Sequence, residues 1–392
     1  MQRNLFTPSI APEKYASNIM LAAKVASKGA PFFRDDLNSF SARASFDMFC
    51  SAFYGKPMGV ADPSSDPDVR DVQFCEVSIK SGQIVREILF SPREIFLHRV
   101  GYQTAQLLDY YDALDQLSAY SERVVDEFVR RYNEGCIEDV ERDSYLSATL
   151  SFMRAAEYKS TVTEDDIKQL MLSLLGASTD TTSSLINWNV INLALNPGAQ
   201  ERLHSEIISA YYDGEKRGLS EKDVLTGQGI CYLDAVIRET YRIRPPLIDS
   251  VVKKVASDVE VGGHIIPRGS IASLITYPLQ NDPEYVDNPH EFQPERFLPE
   301  SLKEREGSPS HVIDHVFMRA PFSQGARKCP GYRVAAFEVQ AILTQLVRDW
   351  KIEIDNSTAA AGEEVRSLSD VGYQFDLTIQ PDAPKLKFTP RG

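Results

Sequence analysis

The residues best suited to chemistry lie in one short stretch near the carboxyl end of the 392-residue chain, FSQGARKCPG over positions 322–331. Cys329 precedes an amphipathic segment in which apolar residues recur at helical spacing from Val339 to Trp350. A helix that begins just after the cysteine, with Pro330 in its first turn, would direct backbone N–H groups and the positive end of its dipole at the sulfur. Such surroundings lower the pKa of a thiol, so the pattern predicts a thiolate that acts as a nucleophile or a metal ligand.

The residues around this cysteine suit a flat, bulky ligand. Gly325 and Gly331 allow the backbone to approach such a group or to adopt a positive φ. Arg327, two positions before Cys329, is a fixed cation suited to a carboxylate. A cysteine taken alone is more often a buried structural thiol, and that is the alternative interpretation of Cys329.

The stretch resembles the haem-binding loop of the cytochrome P450 family, Phe-x-x-Gly-x-Arg-x-Cys-x-Gly. All five specified positions match, and they are Phe322, Gly325, Arg327, Cys329 and Gly331. The resemblance implies that the chain binds heme b, iron protoporphyrin IX, with the Cys329 thiolate as axial ligand and one propionate contact from the loop. It also implies a mainly α fold with small β-sheets.

A second candidate site lies in the most strongly predicted helix of the chain. A capping box over 163–166 begins this helix and Pro197 ends it, which gives a length of roughly 50 Å. Small polar residues fill its middle from Ser178 to Ser184. Such residues tend to bend or widen a helix, and a bulge here would leave polar groups facing a cavity. A solvent-facing polar patch is the alternative.

Together with the cysteine loop, this polar stretch resembles the oxygen-activation segment of the P450 family, in which an acid and an alcohol follow one another. Asp180 and Thr181 occupy these positions and are the predicted catalytic residues. Ser178 stands where the family usually has a glycine, two residues before the acid. The width of the oxygen groove is therefore the point at which this chain departs from the family pattern.

Two further motifs resemble a structural part of the same family. Glu239 and Arg242 lie three residues apart on a predicted helix, and Arg296 lies in the sequence PERF over 294–297. A lone Glu-x-x-Arg is usually an exposed helical ion pair. The two motifs together resemble the family's buried Glu-Arg-Arg network, which predicts a structural role for all three residues.

The remaining segments complete the predicted domain. Strand-like runs between positions 259 and 279 alternate with turn signals and predict a small antiparallel sheet. By resemblance, Lys253 stands where the family often has an arginine that contacts a propionate. The segment from Gln2 to Pro8 resembles the latter part of a helix whose earlier propionate-binding motif is not present. We therefore expect a single P450 domain over 1–392, incomplete at its N-terminus, without the N-terminal helices and part of the first sheet.

Composition excludes several classes of protein. The net charge of −14 argues against a nucleic-acid surface, which needs clustered Lys and Arg. Five cysteines without a CxxC pair give neither a disulfide framework nor a zinc site. No run approaches eighteen apolar residues, which predicts no transmembrane segment, and no signal-peptide pattern is present. The compartment stays open, and the resemblance suggests peripheral association with a mitochondrial or endoplasmic reticulum membrane.

The cysteine region carries a local excess of positive charge. Between Arg319 and Phe337 there is no acid, although acids outnumber bases in the chain as a whole. We call the four cations of this segment the basic face, and they are Arg319, Arg327, Lys328 and Arg333. Such a face suits the docking of an acidic electron donor, either a ferredoxin or a flavoprotein reductase. A chance cluster of cations is the alternative.

These motifs predict a haem-thiolate monooxygenase that inserts one atom of O2 into a small hydrophobic substrate, such as a sterol, a fatty acid or another lipid. Electrons would come from a redox partner, and protons would pass through Thr181 and Asp180. One alternative is a haem-thiolate isomerase or dehydratase that does not use O2, against which the Asp180–Thr181 pair argues. The other is a haem-deficient, non-catalytic fragment, because the N-terminal haem contacts are missing.

Overall fold

The computed structural model describes residues 12–89, 91–154, 163–216, 230–247, 252–318, 322–325, 328–360, 362–375 and 378–391. Across these ranges the chain is mostly helical with short antiparallel strand pairs, which confirms the predicted fold class. Its helices are α1 (Pro12–Gly29), α2 (Leu37–Phe53), α3 (Val69–Leu89), α4 (Pro92–Arg99), α5 (Ala105–Glu134), α6 (Asp139–Arg142), α7 (Tyr145–Arg154), α8 (Glu164–Leu195), α9 (Pro197–Lys216), α10 (Cys231–Ile243), α11 (Tyr277–Gln280), α12 (Pro299–Arg305) and α13 (Tyr332–Asp349). Its strands are β1 (Lys253–Lys254), β2 (Val259–Val261), β3 (His264–Ile266), β4 (Ile271–Ala272), β5 (Trp350–Ile354), β6 (Tyr373–Phe375), β7 (Ile379–Pro381) and β8 (Leu386–Pro390).

The chain divides into two compact units. Unit 1 comprises Met1–Ile230 and Arg333–Gly392, and unit 2 comprises Cys231–Tyr332. Unit 1 therefore contains the long helix α8, and unit 2 contains the cysteine loop. A single domain over 1–392 stays a prediction.

Helix α8 is the centre of unit 1. Thr163 caps it through a capping box with Asp166, and the helix ends at Leu195 before Pro197, as the sequence predicts. Its 32 residues give a length of about 48 Å. The polar middle is regular α-helix, so the expected local bulge is absent there. The reason is that Thr and Ser hydroxyls bond to carbonyls three or four residues earlier without displacing the helical hydrogen bonds.

Helix α2 packs along α8 and buries a predicted apolar stripe. After α8, Gln200 exchanges two hydrogen bonds with the backbone of Ile352 in β5, at 2.8 and 2.9 Å. Because β5 directly follows α13, the C-terminal ends of α8 and α13 lie close together within unit 1. The buried stripe of α2 consists of Leu37, Phe40, Ala44 and Met48.

Glu338 of α13 is a fully buried carboxyl group. Its Oε2 lies 3.5 Å from the Thr182 hydroxyl, and its Oε1 has no hydrogen-bond partner among the described residues. Burial raises the pKa of Glu338 from an ordinary 4.5 to about 8, and the Thr182 hydroxyl opposes this only in part. At neutral pH the folded protein therefore holds Glu338 in its protonated form.

The Glu338→Gln variant is expected to be more stable than the parent protein, by an amount that grows with pH. Above about pH 4.5 the unfolded chain releases this proton while the folded chain keeps it, so parent stability falls by up to about 1.4 kcal/mol per pH unit until about pH 8. Glutamine has the same shape and does not ionise. Calorimetric unfolding at pH 5, 7 and 9 measures the difference, and a difference in Tm that stays constant over this range would contradict the prediction.

Unit 2 is built from α10 and two separate strand pairs. Helix α10 turns an apolar face inward, and its Ala235 joins a small core with Phe297, Val286 and Ile313. Strand β1 pairs with β4 and strand β2 pairs with β3, both antiparallel. The predicted single antiparallel sheet is therefore two two-stranded pairs.

Candidate functional site

The cysteine loop of unit 2 is folded back on itself by backbone hydrogen bonds. The N–H of Cys329 donates to the carbonyl oxygen of Phe322 at 2.9 Å, and the N–H of Lys328 donates to that of Gly325 at 3.1 Å. Ser323 and Gly325 have φ values of +56° and +82°. The tight return therefore depends on left-handed backbone, which glycine adopts without strain. It holds the cysteine backbone beside Phe322.

The surroundings of the Cys329 sulfur differ from the sequence-based expectation. Helix α13 begins at Tyr332, three residues after the cysteine, so Pro330 lies in the preceding turn. The pKa of the Cys329 thiol is raised, chiefly because the sulfur is withdrawn from water. The N–H of Gly331 and the ammonium of Lys328 lower this pKa by a smaller amount. The predicted donor and cation are thus present, but burial outweighs them.

Aromatic rings fix the first residue of the loop. Phe322 meets Tyr241 of α10 edge to face, with ring centroids 6.2 Å apart, and lies 6.4 Å from the ring of Tyr332. The ammonium of Lys328 lies 3.4 Å from the centre of the Tyr332 ring. These contacts within unit 2 hold both ends of the loop that carries Cys329.

The structure brings the three residues of the predicted Glu-Arg-Arg network together. The carboxylate of Glu239 accepts two hydrogen bonds of 2.8 Å from the guanidinium of Arg242, and a third of 3.4 Å from Arg296. It also accepts one from the N–H of Gln293 at 2.9 Å. Glu239 and Arg242 are essentially inaccessible to water, at 0% and 1% exposure.

The two arginines of this network have different surroundings. Arg242 uses its remaining N–H groups on backbone carbonyl oxygens of Gln280, Pro289 and Glu291. Arg296 is mostly buried, with 10% of its side chain exposed, and burial lowers its pKa, while Glu239 acts in the opposite direction. One carboxylate therefore compensates two guanidinium groups, and the network ties α10 to the segment that follows α11.

Asp180 and Thr181, the predicted catalytic pair, have separate sets of partners in unit 1. Asp180 forms an ion pair with Arg86 of α3. Its Oδ2 accepts a hydrogen bond of 2.7 Å from the Thr378 hydroxyl, and its Oδ1 accepts one of 3.4 Å from Gln380. Thr181 donates instead along the helix, to the carbonyl oxygen of Ala177 at 3.0 Å. The carboxylate is therefore held by α3 and β7, whereas the hydroxyl is held by α8 itself.

A polar cavity of about 390 Å³ lies beside Asp180 within unit 1. It is enclosed by the start of α2, the second half of α3, the middle of α8 and the β6–β7 pair. Part of the small polar stretch of α8 therefore lines a cavity without the expected bulge, whereas Thr182 and Ser184 are fully buried and are not among the lining residues. The residues of the α8 middle that line it are Gly176, Thr179, Asp180 and Ser183.

Comparison with known proteins decides the family. The model of the family described as "Cytochrome P450" matches residues 17–369 of the chain. The chain belongs to the cytochrome P450 family. A soybean (Glycine max) protein, "2-hydroxyisoflavanone synthase", is 31% identical to this P450 over 62% of the chain and 46% of its own length.

Two animal P450s give similar matches. "Cytochrome P450 4c3" of Drosophila melanogaster is 29% identical over 65% of the chain and 43% of its own length. "Cytochrome P450 4V2" of Rattus norvegicus is 30% identical over 70% of the chain and 49% of its own length. The matched part of this P450 therefore spans less than half the length of these curated relatives.

The residues that the structure describes around Cys329 fit a thiolate-bound haem. A Cβ built at Gly325 or Gly331 meets no atom of the described protein within 4 Å, so a flat group has room to approach either backbone. The sulfur has an N–H donor and a nearby cation that stabilise its charged form. Arg327 lies outside the described residues, and Lys253 lies exposed on β1. In the described ranges, no three His, Cys, Asp or Glu side chains are grouped closely enough to hold a metal ion by themselves.

No sequence pattern identifies Arg86, Thr378 or Gln380 as partners of Asp180. Each is an ordinary polar residue in its own segment, and they lie 94, 198 and 200 positions from Asp180. Only the packing of α3 and β7 against α8 brings them together. An acid in the middle of a helix, just before its fully buried second half, is a local sign that distant partners are needed.

Proposed function

We propose that this cytochrome P450 is a haem-thiolate monooxygenase that inserts one atom of O2 into a small hydrophobic substrate. The observation that carries the proposal is the complete haem-loop motif, with Cys329 held in a folded loop beside an N–H donor and a cation. A haem iron with a thiolate ligand receives electron density that favours O–O cleavage. The names of the P450 relatives are consistent with an oxidative enzyme.

Residues of the cysteine loop would hold the cofactor. The Cys329 sulfur is the proposed axial ligand, and the N–H of Gly331 would reduce the negative charge on it. Gly325 and Gly331 leave room for the ring, and Phe322 closes the loop. Arg327 and Lys253 are the proposed propionate partners.

Asp180 and Thr181 are the proposed residues for proton supply. The Thr181 hydroxyl donates to Ala177, so its oxygen keeps lone pairs that accept a hydrogen bond from another group. Asp180 lines the polar cavity, whose volume is large enough to hold water. An acid on the cavity side and an alcohol next to it on the same helix can together move protons from water, which the proposed reaction consumes.

The Thr181→Ala variant tests the proposed reaction. The variant is expected to keep the haem absorption spectrum and to release hydrogen peroxide, while product formed per NADPH consumed falls about tenfold or more. The measurement compares NADPH oxidation, peroxide and product with a purified redox partner. Ser173→Ala is the matched control, because Ser173 makes the same bond to a preceding carbonyl at an exposed position of α8. Unchanged coupling in Thr181→Ala would remove this residue from the mechanism.

The substrate class is part of the proposal. Sterols, fatty acids and other lipids are the proposed substrates, and a shift of the ferric haem absorption on their addition measures binding. Oxygen uptake that depends on NADPH and a donor distinguishes a monooxygenase from an isomerase or dehydratase. Absence of haem absorption from purified protein would favour the non-catalytic alternative.

An acidic electron donor is proposed to dock on the basic face. Of its four cations, Arg319 and Arg327 lie outside the described residues, Lys328 is partly exposed and Arg333 is exposed at the start of α13. Electrostatic attraction between a basic face and an acidic partner weakens with salt. The rate of reduction by a ferredoxin or a flavoprotein reductase is therefore expected to fall as ionic strength rises. A rate independent of salt would count against this docking mode.

Peripheral membrane association is also proposed. No helix in the described part of the chain is both long and apolar enough to cross a bilayer. The segment 91–104 exposes apolar side chains beside Arg93 and Arg99, while its one acid, Glu94, is buried. Such a surface suits the interface of an anionic membrane. Phe96→Glu is expected to weaken sedimentation with anionic vesicles, whereas Phe32→Glu, at an equally exposed phenylalanine elsewhere, is the control. The exposed apolar residues are Ile95, Phe96, Val100 and Tyr102.

A further inference from the structure

We propose that Thr378 and Gln380 are positioning residues for the Asp180 carboxylate. Thr378 immediately precedes strand β7 and Gln380 lies within it, 198 and 200 positions after Asp180, and both donate hydrogen bonds to its carboxylate. The inference rests on the proposed function, in which Asp180 supplies protons. We infer that residues at β7 set the orientation of the Asp180 carboxylate on α8.

Both oxygens of the Asp180 carboxylate accept hydrogen bonds, and the donors lie in different directions. Thr378 donates to Oδ2 at 2.7 Å, while Arg86 and Gln380 donate to Oδ1. Gln380 also donates to the backbone carbonyl of Asp180 at 3.2 Å and to the Thr378 hydroxyl at 3.1 Å. A rotation of the carboxylate would break bonds at both oxygens, so its orientation is fixed.

Strand β7 is itself held along α8 by side-chain hydrogen bonds. The Ser184 hydroxyl and the Trp188 indole N–H both donate to the carbonyl oxygen of Ile379, each at 2.8 Å. Asn187 donates to the side-chain oxygen of Gln380 at 3.2 Å. These three α8 residues follow Asp180 by four to eight positions, so they share its side of the helix. The donors to Asp180 are therefore carried by a strand that does not move independently of α8.

These hydrogen bonds are largely shielded from solvent. Thr378 is 1% exposed and the Asp180 side chain is 19% exposed. Hydrogen bonds to an ionised acceptor are stronger than neutral ones, and more so away from water. Loss of the Thr378 hydroxyl would leave Oδ2 without its short donor and allow the carboxylate to turn. The proposed proton supply to Thr181 depends on where that carboxylate points.

A thermal double-mutant cycle tests the positioning without reference to activity. The variants are Thr378→Val, Asp180→Asn and the two combined, each as the full chain with its haem. Thr378→Val is expected to lower Tm by about 2 °C in the parent and by clearly less in the Asp180→Asn background. Equal losses in the two backgrounds would overturn the proposal, because Thr378 would then act without Asp180.

Two further variants separate positioning from simple loosening of the strand. Ser184→Ala removes one hydrogen bond to β7, while Trp188 still donates to the same carbonyl oxygen of Ile379 and the side-chain donors to Asp180 stay in place. Thr378→Ser restores the hydroxyl without the methyl group. If Asp180→Asn fails to fold, the comparison of Thr378→Val with these two variants decides the question.

A second experiment measures coupling, which is the product formed per NADPH consumed, as a function of pH. Thr378→Val is expected to lower product per NADPH at least about threefold and to shift the pH profile of coupling. Thr378→Ser should restore both, and Ser184→Ala should leave the pH profile unchanged. The proposal is overturned if Thr378→Val and Ser184→Ala have the same effects. A parent protein without oxygenase activity would overturn the proposed function instead, and the thermal cycle would then support or overturn positioning by itself.

Discussion

Replacing Cys329 by alanine is expected to abolish the proposed thiolate ligation and, with it, the proposed monooxygenase activity. The loop offers one sulfur at this position, and the described loop residues beside it have no side chain that can replace a thiolate. Without the thiolate, the electron density that favours O–O cleavage is lost. The measurement is the long-wavelength absorption of the reduced carbonyl complex, which should disappear in Cys329→Ala.

A matched variant separates ligation from the general loss of a thiol. Cys136 is also a free cysteine but is exposed at the end of α5, remote in sequence from the loop. Cys136→Ala should leave the carbonyl spectrum and the activity unchanged. Retention of the long-wavelength band in Cys329→Ala would show that another residue ligates the iron, and the site assignment would be wrong.

The loop geometry explains why this site could be recognised from sequence at all. The return bond to Phe322 and the N–H of Gly331 both come from residues within seven positions of Cys329. Local patterns record such sites directly. The same holds for the capping box of α8 and for the apolar stripe of α2, because both depend on helical spacing alone.

Local sequence patterns do not predict how deeply an individual side chain is buried. The pKa of Cys329 moves up rather than down because the surrounding protein desolvates the sulfur, and no residue within the motif reports this. Glu338 is a similar case, since a glutamate nine positions after the cysteine could equally lie in water. The partners of Asp180 also depend on which strand packs on α8. These properties follow from tertiary packing, which one sequence does not reveal residue by residue.

The glutamate network lies between these two cases. Glu239 and Arg242 are spaced for contact on any helix, so the pair by itself predicts only an exposed ion pair. Arg296 lies 54 positions after Arg242. Its ion pair with Glu239 extends the Glu239–Arg242 pair into a network of three charged residues. These three residues could be predicted from the sequence only because their motifs resemble the Glu-Arg-Arg network of the P450 family. The structure adds that Glu239 is wholly buried and serves both guanidinium groups.

Replacing Glu239 by alanine is expected to give insoluble or haem-free protein. The change leaves the buried guanidinium of Arg242 without its carboxylate and removes the acceptor for Arg296 and Gln293. Breaking a buried ion pair from one side costs about 3–5 kcal/mol, a large part of the 5–15 kcal/mol that typically stabilises a folded protein. Soluble yield and the ratio of haem absorption to protein absorption are the measurements.

A surface pair provides the control for this prediction. Glu134 and Arg130 form an exposed ion pair of 3.1 Å on α5, with the same charges but in water. Glu134→Ala should change stability by less than about 0.5 kcal/mol, because an exposed helical pair contributes little. Conversely, soluble Glu239→Ala protein with its full haem content would show that the network does not support the fold. The contrast between these two variants therefore measures what burial adds to the same pair of charges.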